Sequence, residues 1–224
     1  MPLSASVKRS LEQHLCGWEA DREHVAGYLA ARGIGPACSE RMRLGYVSVP
    51  PSGFEPYLGR LVIPYLSADG YPLTFRFRCI ADHDCRESGH PKYLGLSGAE
   101  SRLFNVRSVH EADRTICLTE GEIDTLTLEQ CGYRAVGVPG ANSWRSHHPR
   151  VFSGFEKVFV FGDGDKAGRE FVKTVLSTLD CAVGVNMAES EDVNSVFVRG
   201  GQAAIEKLLE LSLIHISEPT RLRR

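Results

Sequence analysis

Carboxylates gather behind three apolar runs of this chain. Ile116–Thr119 leads into Glu120, Gly121, Glu122 and Asp124; "KVFVFG" leads into Asp163, Gly164, Asp165 and, three residues on, Gly168; "AVGVNM" leads into Glu189, Glu191 and Asp192. A core strand has no use for charges at its tip. If the strands run parallel, their tips share one edge, and up to six acids (Glu120, Asp163, Asp165, Glu189, Glu191 and Asp192) meet there. Unpaired, they would repel and raise one another's pKa values. A hard divalent cation, Mg2+ or Mn2+, resolves the conflict. It accepts one or two carboxylates, keeps waters, and completes its shell with substrate phosphates. The chemistry implied is phosphoryl or nucleotidyl transfer. Each piece alone has a plainer explanation: acids after Gly121 would offset a helix dipole, and D-x-D-x-x-G could be a calcium-type turn or an acidic loop. Only the combination is specific.

The elements that must position these groups follow from the hydrophobic pattern. From Arg114 onward, short apolar strands ("TICLT", "RAVGV", "KVFVFG", "AVGVNM") alternate with helical stretches ("IDTLTLEQC", "KAGREFVKTVLSTL"). That alternation predicts a parallel sheet covered on both faces. Right-handed crossovers then bring every strand's C-terminal end to one edge, where ligands bind. The Asp/Gly alternation of "GDGDKAG" lets the backbone bend tightly and aim both carboxylates outward. Upstream, Glu19–Arg32 reads as one helix, with Val25, Tyr28 and Leu29 on a face and Gly33 as its stop, and Gly35–Arg43 as a second. "RLVIPYLSADGYPLTFRFRCI" reads as a hairpin turning at Asp69-Gly70. In its second strand, Thr74, Arg76 and Arg78 share one face, predicted to be exposed. The fold class is therefore α/β within an α+β whole: a parallel-sheet domain over 113–210, preceded by a helical segment over 1–58 and a β subdomain over 59–112.

Net charge is −2, so nothing global announces nucleic-acid binding, and any such binding must come from a local patch. Seven cysteines without a CxxC pair argue against a disulfide framework and for a reducing cytoplasm. No apolar run reaches membrane-spanning length, and no signal-peptide core is present. The last fourteen residues, "LSLIHISEPTRLRR" (211–224), show no helical continuation of "GGQAAIEKLLE". They resemble the in-frame translation of a transposase-type sequencing adapter, which implies a natural chain running on past Glu210. With that tail set aside, 26 basic and 28 acidic residues become 23 and 27, net −4.

The acidic motifs resemble the TOPRIM domain, shared by bacterial-type primases, type IA and type II topoisomerases and some nucleases. Glu120, Gly121 and Asp124 match its first motif; Asp163, Asp165 and Gly168 match its second. The flanks are similar to the polymerase core of bacterial and phage primases: "YLAARGIGPACSERMRLGYV", "GRLVIPY", "HPKYLGLSGAESRLFN" and "EDVNSVFVRGG" occur in the family's order, over about Tyr28–Leu209. Topoisomerases lack these flanks. The resemblance implies a template-dependent RNA polymerase making short primers. Metal would be bound at Glu120, Asp163 and Asp165 with help from Asp192, and Glu120 is a candidate for proton transfer. Gly121 would let backbone approach metal or phosphate. Asp124 would orient its loop, and Asn194 stands where many primases have a second Asp. Lys92, Arg76 and Arg78, with Arg60 and Lys166, would contact nucleic acid or triphosphate. The implied partners are a single-stranded DNA template, ribonucleoside triphosphates, a replicative helicase and a separate zinc-ribbon module; no membrane is involved. Nothing before Ala20 offers paired zinc ligands of the ribbon type. A nucleic-acid-binding module or a TOPRIM nuclease is the alternative.

One loop stands apart. "CIADHDCRESGH" holds Cys79, His83, Cys85 and His90, all zinc-ligand types, at the spacing C-x3-H-x-C-x4-H. That spacing is irregular for a structural zinc site. A polar hairpin tip with incidental cysteines fits it better.

Overall fold

The computed structural model describes residues 3–217. The chain divides into two compact units, one up to Arg107 and one from Ser108.

The first unit opens with α1 (Ala5–Ala20). The Ser4 hydroxyl caps it by accepting the Val7 N–H at 3.3 Å, and Leu11, Leu15 and Trp18 bury one face. The single helix expected over Glu19–Arg32 is not formed. The chain ends α1, makes one 3-10 turn (Arg22–Val25) and restarts as α2 (Ala26–Ala31). Tertiary bonds impose the break: the Ser48 hydroxyl holds the Asp21 carboxylate, and Arg22 Nε donates to Leu44 O at 2.8 Å. Next comes α3 (Pro36–Arg41), started by its proline.

Four strands follow in chain order as one antiparallel sheet: β1 (Gly45–Tyr46), β2 (Arg60–Leu66), β3 (Pro72–Cys79) and β4 (Tyr93–Gly95). The β2–β3 turn sits at Asp69-Gly70, and Gly70 takes the positive φ of +83° that such a turn needs. Trp18 meets Phe75 and Phe77 edge-on at 5.1 and 5.6 Å, so α1 covers one sheet face. The opposite face of β3 is not open, contrary to the alternation argument. Thr74 and Arg78 are only 7% and 5% exposed. Tyr93, opposite Arg78 in register, and Tyr28 from α2 close over the guanidinium.

From α4 (Arg107–Glu111) onward, strands and helices alternate: β5 (Thr115–Thr119), α5 (Glu122–Gln130), β6 (Ala135–Gly137), β7 (Lys157–Phe161), α6 (Lys166–Leu176), β8 (Ala182–Val185) and α7 (Val193–Ser217). The four strands are parallel, in the order β6-β5-β7-β8. Cys117, Phe159, Phe161 and Val185 pack with Leu128 of α5 and Val193, Val196 and Ile205 of α7. Helix α7 is broken at Gly201, whose φ is +63°. It also continues to Ser217, past the point where no helical continuation was expected. Ser212 is buried and its hydroxyl donates to Leu208 O at 2.8 Å. The residues after Glu210 carry no helix breaker before Pro219, so the turn propagates. Residues 218–224, the rest of the adapter-like segment, lie outside the described residues. Among the described residues, no helix is long and apolar enough to cross a membrane.

Candidate active site

The site is built on sheet register. Thr119 pairs with Phe161, so β5 and β7 end side by side. Glu120 is the first residue beyond β5, and Asp163 the second beyond β7. The Asp163 N–H faces Glu120 Oε2 at 3.4 Å. Burial pushes the Glu120 carboxyl above the ordinary carboxylate range. Backbone N–H groups of Asp163 and Ala141 oppose the shift, and the nearby Asp165 charge reinforces it. Asp165 is the N-cap of α6, with Oδ1 accepting the Gly168 N–H at 2.8 Å. Lys166 is the exposed first residue of that helix. Beside it lies a cleft of about 590 Å3, bounded by Ala141, Asn142, Asp165 and Lys166.

These donors fit a hard divalent cation. They are hard carboxylate oxygens, one is already forced toward its protonated form, and a cation would relieve that.

Glycines set the shape of the edge through close packing rather than unusual dihedrals. A Cβ on Gly164 would stand 1.8 Å from Ala188 O. One on Gly168 would stand 2.1 Å from Asp163 O, and one on Gly162 2.3 Å from Gly168 O. The space closed at Gly164 is occupied by the third acidic segment. Gly164 N–H donates to Glu191 O at 2.7 Å, and Ser190 N–H donates to Gly164 O at 3.1 Å.

The six acids do not all converge. Register and the Asp163–Glu120 bond bring Glu120, Asp163 and Asp165 together. Glu191 carries its backbone to Gly164, but its carboxylate is taken by Arg199, which lowers its pKa. Asp192 adjoins that pinned segment and caps α7: Oδ1 accepts the Ser195 N–H at 2.6 Å, and its own N–H donates to Ser195 Oγ at 2.9 Å. Glu189 is exposed on the same turn.

Asp124 and Asn194 form a buried brace beneath the edge. Asp124 Oδ1 accepts the Asn194 N–H at 3.0 Å, and Asn194 Nδ2 donates to Thr127 Oγ1 at 2.9 Å. With Asn194 only 3% exposed and its amide on Thr127, this residue fixes α7 to α5. Gly121, the N-cap of α5, offers its carbonyl to the Thr119 and Thr125 hydroxyls at 3.0 and 2.8 Å. Sequence reasoning missed these threonines. The signal was the recurrence of Thr at 119, 125 and 127 around the motif, where each hydroxyl can satisfy a buried backbone carbonyl.

In the first unit, the expected phosphate contacts occupy different environments. Arg60 is buried, and its Nη1 donates to Pro91 O and Lys92 O at 3.1 and 3.3 Å. Arg78 is buried against Tyr28 and Tyr93. Arg76 is half-buried, stacked 4.4 Å over the Tyr93 ring, and Lys92 is exposed just before β4. The Cys/His loop, expected to be an incidental tip, instead brings its four potential ligand atoms within 4.8 Å of one another.

Comparison with known proteins agrees with this architecture. Residues 117–197 match the Toprim-like family. The chain is 39% identical to the Gene 57 protein of Mycobacterium phage D29 over 153 residues, 66% of this chain and 97% of that protein. It is 27% identical to the DNA primase of Aquifex aeolicus over 227 residues, 83% of this chain and 44% of the primase, so it spans less than half of that relative. The solved zinc-binding and RNA polymerase domains of the Aquifex aeolicus primase superpose with a TM-score of 0.77 at 21% identity, covering 92% of this chain and 60% of that one. With the parallel sheet, its carboxylate edge and these matches in hand, the chain belongs to the family of the phage Gene 57 protein, carries a Toprim-like domain and is similar to bacterial DNA primases.

Proposed function

We propose that this chain is the catalytic core of a DNA primase, joining ribonucleoside triphosphates into short primers on a single-stranded DNA template in the cytoplasm of a bacterial or phage-infected cell. The observation that carries this reading is the in-register meeting of Glu120 with the Asp163–Asp165 loop, in a chain of primase ancestry. Glu120, Asp163 and Asp165 would hold magnesium or manganese, with Asp192 at the margin. The bound cations would neutralise charge on the attacking and leaving oxygens of the transfer.

The chain's own residues supply position and proton handling. Glu120, which follows β5 against the Asp163 loop, suits a group that exchanges a proton with the attacking hydroxyl. Lys166 beside the cleft suits the triphosphate. Arg76 and Lys92 suit template phosphates. Arg60 and Arg78 would act by holding that surface in shape. A replicative helicase and a zinc-ribbon module are the partners this reading entails.

The test is synthesis on single-stranded DNA by the full chain with labelled ribonucleotides. Dinucleotides and short RNA should appear with Mg2+ or Mn2+, vanish with a chelator, and be lost in Glu120→Gln. Cleavage of the DNA without RNA synthesis would replace this reading with a nuclease.

A further inference from the structure

We propose that Cys79, His83, Cys85 and His90 form a structural zinc site within the first unit. Both cysteines are free thiols, and the four ligand atoms all lie within 4.8 Å of one another. Cys79 Sγ is 3.6 Å from His83 Nε2, and His83 Nε2 is 2.7 Å from His90 Nε2. Tetrahedral zinc with ordinary Zn–S and Zn–N bonds needs edges of roughly 3.3 Å between nitrogens and roughly 3.7 Å between sulfurs. The cluster therefore needs only a small opening at the histidine pair to hold the ion. Two thiolates and two imidazoles in tetrahedral array select zinc over hard cations. Four protein ligands close the shell, which marks a structural rather than a catalytic ion.

Two further observations point the same way. Metal-bound histidines usually donate their second N–H to a carbonyl. His90 Nδ1 lies 3.3 Å from Pro91 O, a carbonyl also held by Arg60 at 3.1 Å. The tautomer protonated at Nδ1 frees Nε2 for the metal. Arg60 Nη2, 3.5 Å from the same Nδ1, favours the other tautomer, and an ion at Nε2 decides between them.

Apart from Arg60 at its C-terminal end, the loop has no anchor in the core. None of residues 80–91 is buried. Its ends are joined by Cys79 N–H to Lys92 O at 2.8 Å. Inside, Asp84 Oδ1 accepts the Arg86 and Glu87 N–H groups at 2.7 and 3.0 Å, and His90 N–H reaches Cys85 O at 3.0 Å. Ordering a dozen residues, none of them buried, is costly, and a metal staple supplies what the core does not. The loop forms one wall of a cavity of about 690 Å3 that also includes Arg32, Arg78, Arg86 and Lys92. Zinc would thus hold Arg86 and Lys92 in place.

The test is metal content by mass spectrometry on the full chain purified under reducing conditions, with cobalt substitution. One zinc per chain is expected, together with the strong thiolate charge-transfer and intense visible bands of tetrahedral cobalt. Both should be lost in Cys79→Ser/Cys85→Ser and reduced in His83→Asn. If the double variant fails to fold, the cobalt spectrum of the wild-type chain decides alone. No zinc with only weak octahedral cobalt bands, zinc undiminished in the folded double variant, or a Cys79–Cys85 disulfide in place of metal would each overturn the proposal.

Discussion

The carboxylate edge and the Cys/His loop both gather metal-ligand side chains, but they are assembled by different means. At the edge, the positions are dictated by the scaffold. Strand register fixes Glu120 against the Asp163 loop, packed glycines lock that loop to the next segment, and a buried Asp124–Asn194–Thr127 brace holds α7 behind it. The negative charges of the acids add repulsion, while the hydrogen bonds that Asp165 makes as the cap of α6 need only an oxygen, which an amide also supplies. In the loop, the order is reversed: no residue from 80 to 91 is buried, so the proposed zinc and its four ligands would hold the backbone. A site whose geometry precedes its ligand is suited to chemistry, because the groups stay put when the metal and substrate leave. A site whose geometry follows its ligand is suited to structure.

The sharpest way to break this contrast is to remove charge from the edge. Asp163→Asn/Asp165→Asn should reduce primer synthesis by about 10³-fold or more while leaving Tm unchanged or higher, because repulsion is relieved. A large loss of Tm would mean that the acids support the scaffold after all. The second attack is on the scaffold itself. Gly164→Ala places a methyl 1.8 Å from Ala188 O, so backbone must move. It should cost about 2–3 kcal/mol in urea unfolding, with synthesis falling alongside. A neutral result would mean that the loop is softer than the packing indicates.

Acid sensitivity of the second unit gives a smaller effect. His148 is buried, with its Nδ1 accepting the Arg145 N–H at 3.2 Å. Burial, with the neighbouring His147 and Arg145 charges, pushes its pKa down to about 4. The unfolded chain therefore takes up this proton first. The stability due to neutral His148 is complete above pH 6.5 and is lost as pH falls through about 4. Urea midpoints measured from pH 7 to 4.5 should fall more steeply for the wild-type chain than for His148→Gln. The smallest effect is at Arg76. Replacing it by Ala should weaken template binding a few-fold and lower the salt slope by up to about one. An unchanged slope would make its stacking on Tyr93 purely structural.

Much of both units was legible in the sequence where local patterns decide the structure. "TICLT" is β5 residue for residue, and the hairpin turns at Asp69-Gly70 as its dipeptide indicates. What escaped depends on distant partners. Helix α1 carries Leu11, Leu15 and Trp18 at helical spacing, but its mostly polar surface hides them until Phe75 and Phe77 are seen to cover Trp18. Arg78 alternates onto a face that would be open if Tyr28 and Tyr93 did not close it. Glu191 belongs to the acidic run, yet Arg199, eight residues on across a helix start, takes its carboxylate. The Cys/His spacing looked irregular because ligand geometry is set by the turn at Asp84 and the β3–β4 register, neither of which is visible in a spacing count.

The central claim is that the sheet edge holds a catalytic divalent cation through Glu120, Asp163 and Asp165. Manganese binding to the full chain, followed by electron paramagnetic resonance with the loop cysteines intact, addresses it most directly. The account predicts at least one saturable Mn2+ site in the wild-type chain, strengthened by added ribonucleoside triphosphate and abolished in Asp163→Asn/Asp165→Asn, with zinc content unchanged. Equal manganese stoichiometry and affinity in the two proteins would contradict it.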